Sequence, residues 1–260
     1  MSIPAIDLAH VSPDEIARAC EEVGFFTVVG HGVDRALIEE VAARSRAFFD
    51  RPDEDKERFR APADALGAPV YRPLGAEKLG ANADRKASLD WGPTLVGVAW
   101  PDDNLRAAYQ RYYAEMLRVA GTIVEQLGMD LAQHFDDRSS SLRVIDYPAG
   151  GGGGTRAGAH RDYGVLTLIH SDAAGLEVET RSGEWAPVQA PPGGYVVNIG
   201  DLLQRWSNDR WVSTLHRVVG NSSAPRRQSL VFFHNPRSEA VVDGAVAGDY
   251  ILARAAAAGL

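Results

Sequence analysis

The sequence predicts a mixed α and β protein whose second half is an antiparallel barrel or sandwich of jelly-roll type, fronted by helices around a few strands. Three observations carry this. Beyond Ser141, seven short β-rich runs follow one another, separated by turns, with no helical segment between most of them. Over residues 102–127 the apolar positions Leu105, Tyr109, Tyr112, Met116, Val119, Ile123 and Leu127 recur at three- and four-residue steps, giving one long helix that ends at Gly128. The first fifty positions interleave helix-start signals with a β-branched and aromatic run.

In chain order, Ser12-Pro13-Asp14-Glu15 combines an N-cap serine, a proline at the first helical position and a glutamate three residues after the cap, which opens a helix over 12–22. Gly24 ends it. Phe25-Phe26-Thr27-Val28-Val29, bounded by Gly30-His31-Gly32, reads as a short buried strand. Asp34 caps a second helix with Leu37, Ile38, Val41 and Phe48 near helical spacing. Residues 62–101 are rich in Gly and Pro with little periodicity, so long loops and short strands are expected there, and 69–92 are expected to cover part of a site. After the long helix the strands fall at 142–147, 165–170, 176–179, 185–188, 195–199, 216–219 and 229–233. The glycine tract 150–154 reads as an exposed flexible turn. No linker separates independent domains. Residues 1–100 form an N-terminal region of helices and pocket loops, and 101–260 hold the long helix and jelly-roll core, as one compact unit.

Composition bounds the function. The chain has 260 residues, 45% hydrophobic and 24% charged, enough for a substantial core. A net charge of −8, with both signs interspersed, offers no general attraction to nucleic acid or an anionic bilayer. Cys20 is the single cysteine, which excludes internal disulfides and thiolate metal clusters and suits a reducing compartment. The N-terminus has no basic segment followed by an apolar core, and no run of about 18 apolar residues occurs, so a cytoplasmic protein without a membrane span is expected.

Any metal must therefore sit on histidines and carboxylates. His-x-Asp places two ligands on one face of a strand, and it occurs three times: His134-Phe-Asp136, His160-Arg-Asp162 and His170-Ser-Asp172. His134 follows the long helix before an acidic, Ser-rich turn, as a surface histidine would. Asp172 falls in a Ser-Asp-Ala-Ala-Gly turn, where aspartate commonly bonds local backbone. His160 and Asp162 stand at the entry to an apolar strand, and His216 opens another. Two histidines and one carboxylate fit a facial iron triad with three open positions, and they fit zinc as well. Arg227-Gln228-Ser229 separates the two. Alternation puts the guanidinium fork and the hydroxyl on one face, a bidentate carboxylate receptor that an oxygenase using 2-oxoglutarate needs and a zinc hydrolase does not.

These residues closely resemble the isopenicillin N synthase-like family of iron(II)- and 2-oxoglutarate-dependent dioxygenases. The matches run in order along nearly the whole chain: Ile3-Pro4-Ala5-Ile6-Asp7; Gly24-Phe25-Phe26 through His31-Gly32; Tyr147-Pro148; His160-Arg-Asp162-Tyr-Gly164; Asn198-Ile-Gly200-Asp201; Trp206-Ser207-Asn208; Ser213 through His216-Arg217-Val218; and Arg227-Gln-Ser229 through Phe232-Phe233. The resemblance implies a double-stranded β-helix (jelly-roll) core with an N-terminal α/β region and a long supporting helix. It selects His160, Asp162 and His216 as the iron ligands. The 1-carboxylate and keto oxygen of the cosubstrate would chelate iron, and its 5-carboxylate would meet Arg227, Ser229 and Tyr147. Arg143 shares the Tyr147 face and is expected to reach cosubstrate or substrate; Tyr71, Arg72 and Phe233 are the further pocket candidates. The implied reaction uses Fe(II), 2-oxoglutarate and O2 to hydroxylate or desaturate a small molecule with release of succinate and CO2. An oxoacid-independent iron oxidase on the same scaffold and a non-catalytic small-molecule binding protein are the alternatives. Three departures stand out: the uniform glycines of 150–154, Asp209 where glycine often follows Trp-Ser-Asn, and an end at Leu260, from which a truncated or absent C-terminal helix is expected.

Overall fold

The computed structural model describes residues 3–60, 70–79, 83–94, 100–150 and 154–257. Strand β1 (Ala5–Asp7) leads to helix α1 (Pro13–Glu22), strand β2 (Phe25–Val29), helix α2 (Arg35–Phe49) and the short α3 (Asp53–Glu57). Strands β3 (Val70–Arg72) and β4 (Ala87–Trp91) precede the long helix α4 (Asp103–Gln126). Then come β5 (Ser141–Tyr147), β6 (Gly154–His160), β7 (Leu166–Ser171), β8 (Leu176–Glu179), β9 (Trp185–Pro187) and β10 (Tyr195–Ile199). Helix α5 (Asp201–Trp206), β11 (His216–Gly220), β12 (Arg227–His234), the hairpin of β13 (Val241–Val242) and β14 (Ala245–Val246), and helix α6 (Ala247–Ala257) complete the chain.

The caps act as their residue types require. Glu15 reaches back to accept the Ser12 N–H at 2.9 Å, Asp34 accepts from Ala36 N–H at 2.9 Å, and Asp102 accepts from Leu105 N–H at 2.8 Å. Eight strands form one sheet in the order β1-β2-β10-β7-β12-β5-β4-β3, and four form a second, β6-β11-β8-β9. Strands from the N-terminal region thus flank the larger sheet on both edges. Alternation then divides each central strand. Leu142 and Val144 of β5, Leu230 and Phe232 of β12, and Leu166 and Leu168 of β7 join the core shared with α2 and α4. Their neighbours Ile145, Tyr147, Val231 and Ile169 face the smaller sheet, where they meet Ala157, Leu176, Val178 and Val218. Between the two sheets lies a cavity of about 250 Å³.

Two expectations change. Residues 154–160 form a strand, β6, although the glycines around it read as a turn; pairing with β11 supplies what propensity lacks. A C-terminal helix, α6, is present after all, and its Ile251 and Ala255 line the cavity. The 62–101 stretch contributes the antiparallel β3–β4 pair beside its loops, and Arg72, Leu79 and Lys86 from it line the cavity. Asn208 and Asp209 both adopt left-handed backbone, with φ of +53° and +59°, which explains why glycine suits position 209. The Gln204 amide donates to the Asp209 carboxylate at 2.9 Å and steadies that turn. Of the glycine tract, residues 151–153 lie outside those described. Among the described residues no helix is long and apolar enough to cross a membrane.

Candidate active site

Sheet pairing assembles the centre. Antiparallel register sets His216 of β11 directly opposite His160 at the end of β6. Asp162 does not share a strand face with His160; it lies in the bend just after β6. That bend is held by Asp201 N–H donating to the Asp162 carbonyl at 2.8 Å and by a close backbone approach at Gly200, where a Cβ would stand 2.4 Å from the Gly164 carbonyl oxygen. Asp162 Oδ1 lies 3.8 Å from Nε2 of His160 and 3.8 Å from Nε2 of His216. Among the described residues these three form the one cluster of ligand-type side chains close enough to hold an ion together.

The outer contacts of the three fix how they point. Nδ1 of His160 is 2.8 Å from the Gly158 carbonyl and Nδ1 of His216 is 3.1 Å from the Thr214 carbonyl. A carbonyl only accepts, so each Nδ1 carries a proton and each Nε2 is the nitrogen aimed at Asp162. The Asn198 amide donates to Asp162 Oδ2 at 2.7 Å and turns Oδ1 toward the imidazoles. Phe25 packs edge-on against His216 with ring centroids 5.3 Å apart. Burial, reinforced by the second imidazole, lowers the His160 pKa and keeps the ring neutral. Burial also pushes the Asp162 carboxyl up, but the imidazoles and the Asn198 amide outweigh it and hold it below the ordinary range. Two imidazole nitrogens and one carboxylate oxygen around a common point are the donor set of a divalent metal, so the residues fit iron(II).

Across the cavity stands Arg227. It is 1% exposed, donates through Nε to the Ala173 carbonyl at 3.0 Å and through Nη1 to Ser229 Oγ, and has no carboxylate partner among the described residues. Its guanidinium carbon lies 5.1 Å from the Tyr147 ring centre, while Arg156 covers the same ring at 5.3 Å. Arg156 is bound through backbone carbonyls of Tyr147, Pro148 and Pro225. Burial lowers the pKa of both arginines, and at Arg156 the neighbouring Arg227 charge lowers it further. Two guanidinia thus flank one phenol where Tyr147, Arg227 and Ser229 line the cavity.

The remaining candidates divide by strand face. Arg72 and Phe233 line the cavity. Tyr71 does not: one residue from Arg72, it points to the opposite face, is 3% exposed and packs edge-on against Phe48 at 5.6 Å, which removes it from the pocket. Arg143 lines the cavity but is held by Asp90 through two bonds, Nε to Oδ1 at 2.8 Å and Nη2 to Oδ2 at 2.7 Å. The other His-x-Asp pairs are occupied elsewhere. His134 packs against Trp206, His170 Nδ1 is 3.3 Å from the Gly194 carbonyl, and Asp172 accepts the Gln228 N–H at 2.7 Å. Sequence reasoning misses Lys86, Asn198 as an orienter of Asp162, and Arg156. The one available signal for Lys86 is its two-residue step to Ser88 and Asp90.

Comparison with known proteins agrees with this geometry. Residues 3–113 match the family described as non-haem dioxygenase in morphine synthesis N-terminal, and residues 129–236 match the 2OG-Fe(II) oxygenase superfamily. A homoarginine-6-hydroxylase of Oryza sativa subsp. japonica is 32% identical over 257 residues, covering 86% of this chain and 77% of the relative. The 2-oxoglutarate-dependent dioxygenase DAO of Oryza sativa subsp. indica is 33% identical over 261 residues, covering 93% and 85%. A full-length Neurospora crassa protein crystallised with alpha-KG superposes with a TM-score of 0.84 at 26% identity, covering 98% of this chain and 96% of that one. The same Neurospora protein has also been crystallised with alpha-KG and thymine, a small molecule. The matched families, the relatives across most of the chain and the jelly-roll core show that this chain belongs to the 2OG-Fe(II) oxygenase superfamily and is an iron(II)- and 2-oxoglutarate-dependent dioxygenase.

Proposed function

We propose that His160, Asp162 and His216 hold iron(II), that Arg227, Ser229 and Tyr147 receive the 5-carboxylate of 2-oxoglutarate, and that a small molecule in the same cavity is hydroxylated or desaturated. Iron(II), with 2-oxoglutarate and O2, supplies the two-electron oxidant as the oxoacid becomes succinate and CO2. The protein's own part is placement. The carbonyls of Gly158 and Thr214 keep the imidazoles in one tautomer, and Asn198 fixes the carboxylate. Arg227, Ser229 and Tyr147 orient the dicarboxylate, and Ile251 and Ala255 of α6 restrict water at the cavity wall. Residues 1–100 supply sheet edges and cavity wall, and 101–260 the metal and cosubstrate groups, acting as one unit.

One observation carries this reading: Arg227 is a sealed guanidinium facing the cavity with no anion of its own among the described residues. A buried cation left in that state costs folding free energy that a bound carboxylate recovers. In an oxoacid-independent oxidase Arg227 would instead hold the primary substrate and turnover would release no succinate, so succinate formed per substrate oxidised separates the two readings. The test is anaerobic titration of iron(II)-loaded protein with 2-oxoglutarate, following the weak visible charge-transfer band of the chelate. Wild type should develop the band. Arg227→Ala should weaken the apparent oxoacid affinity by roughly tens to thousands of fold, from a lost charge-assisted pair of about 2–5 kcal/mol, with iron retained. Arg227→Lys should recover only part, because a point charge cannot reproduce the fork. Full product formation without oxoacid would overturn the proposal.

A further inference from the structure

Away from Arg227, the cavity is lined by Arg72 of β3, by Lys86 just before β4, and by Arg143 of β5. Register places Arg72 beside Ser88 and Asp90 beside Arg143, and Arg72, Lys86 and Arg143 all line the cavity. Each cation is paired with a carboxylate. Lys86 Nζ lies 3.0 Å from Glu77 Oε2 and 3.1 Å from Asp84 Oδ2; Arg143 is held by Asp90; Arg72 Nε lies 3.2 Å from Asp90 Oδ2 and 3.3 Å from Glu77 Oε1. None of these three carboxylates lines the cavity. The wall therefore turns its donors inward and keeps its acceptors behind them.

The three cations differ in what they have left to give. Arg143 commits two nitrogens to Asp90, and its third is 3.4 Å from Glu77. Lys86 is 4% exposed with two of its three protons directed at carboxylates. Arg72 is held at Nε alone; its two terminal nitrogens have no hydrogen-bond partner among the described residues, and its side chain is 29% exposed, at the open part of the wall. A guanidinium pinned at Nε and open at both terminal nitrogens is half of an end-on fork for a carboxylate. Lys86 shares Glu77 with it and lies on the same wall. Around them Leu79, Phe233, Ile251 and Ala255 are apolar.

We propose that Arg72, backed by Lys86, binds a carboxylate of the primary substrate, so that the enzyme takes a small organic acid whose apolar body lies against Leu79, Phe233, Ile251 and Ala255. This rests on the site being a 2-oxoglutarate oxygenase, with Arg227 reserved for the cosubstrate. On this wall a cationic substrate would meet three cations, with the carboxylates Glu77, Asp84 and Asp90 behind them. A neutral one would leave the terminal nitrogens of Arg72 without a charged acceptor, so the acid is preferred over its amide.

The test uses anaerobic protein loaded with iron(II) and saturating 2-oxoglutarate, with the charge-transfer band recorded first. Aryl- and alkyl-carboxylic acids, each matched with its primary amide and its amine, are then titrated by calorimetry and by perturbation of that band. At least one acid should bind roughly tenfold or more tightly than its amide and its amine. Arg72→Gln should erase that preference while leaving iron and 2-oxoglutarate affinity unchanged, and Arg72→Lys should keep part of it. Absence of the band defeats the dioxygenase reading itself. With the band present, the carboxylate proposal is overturned by any of four results: no acid binding, equal binding of amide or amine, displacement of 2-oxoglutarate by the acid, or survival of the preference in Arg72→Gln.

Discussion

The two ends of one cavity treat buried arginine in opposite ways. Arg227 sits among Tyr147, Ser229 and a backbone carbonyl, with no anion in contact among the described residues. Arg143 lies on the neighbouring strand, on the same side as the Tyr147 that pairs with Arg227, and it is gripped by Asp90 and approached by Glu77. Burial pulls the pKa of both down, but at Arg143 the two carboxylates outweigh burial and raise it, whereas at Arg227 burial prevails. A paired guanidinium is finished structure. An unpaired one, buried at least as deeply, is what the proposed carboxylate receptor requires, since its uncompensated burial is a cost that a bound anion would offset.

The largest effect that tests this division lies at the proposed metal triad, on which the proposed cosubstrate end depends. Replacing His160, Asp162 or His216 singly by alanine should abolish stoichiometric iron binding, measured by metal analysis after desalting, while His134→Ala and His170→Ala retain it. Iron kept by His160→Ala and lost by His170→Ala would break the comparison at its root. Next in size is the contrast between the arginines themselves. Arg143→Met takes away the main partner of Asp90 and should destabilise the protein by about 3–5 kcal/mol, whereas Arg227→Met removes a charge that had no partner and should stay within about 1 kcal/mol of wild type in the absence of oxoacid. Denaturant unfolding of both variants decides it: equal losses would mean that the two ends do not differ.

The candidate cosubstrate end is legible in the sequence and the wall only in part, since Arg72 and Arg143 stand among the pocket candidates while Lys86 and the carboxylates behind them do not, for a physical reason. Arg227-Gln-Ser229 lies on one strand, so alternation alone puts its two polar groups together, and His216 opening a β-rich run is likewise a local signal. His160 and Asp162 stand out as a motif although the strand before them does not, since the glycines flanking β6 hide a segment that only pairing with β11 makes extended. The wall draws Arg72, Glu77, Asp84, Lys86 and Asp90 from a Gly- and Pro-rich stretch and joins them to Arg143 across β4 and β5. Beyond the two-residue step from Lys86 to Ser88 and Asp90, no local period marks such a network, because its other members meet through register between strands. Tyr71 is misplaced for the smallest of reasons: a one-residue error on a strand exchanges the cavity face for the core face.

The wall makes a pH prediction that the Arg227 end does not. Burial raises the Glu77 carboxyl, but Arg143, Lys86 and Arg72 outweigh it and hold the pKa at about 2 against an ordinary 4.5. A depressed folded-state pKa means that Glu77 contributes stability above about pH 4.5 and loses it as pH falls toward 2, an amount on the order of 3 kcal/mol. Unfolding free energy measured across that window should therefore fall more steeply in wild type than in Glu77→Gln. Parallel curves would show that the wall's carboxylates are not stabilised by their cations.

The smallest effect tests whether burial, rather than pairing as such, sets the worth of these contacts. Helix α6 closes the cavity with Ile251 and Ala255 and is tied down at Asp201, whose Oδ2 is 3.2 Å from Arg254 Nη2 and accepts from the Tyr250 hydroxyl at 3.2 Å. Arg254 also lies over the Tyr163 ring at 5.0 Å. In distance this ion pair resembles those of the wall, yet the Arg254 side chain is 45% exposed, so water competes for its charge although Asp201 itself is largely buried. Such a pair is worth about 0.2–1 kcal/mol. Arg254→Ala should accordingly lower the thermal midpoint by less than about 3 °C in a chain of this size, and added salt should shrink the difference further. A loss matching that of Arg143→Met would mean that the α6 tie is as sealed as the wall, and that exposure does not separate the two kinds of pair.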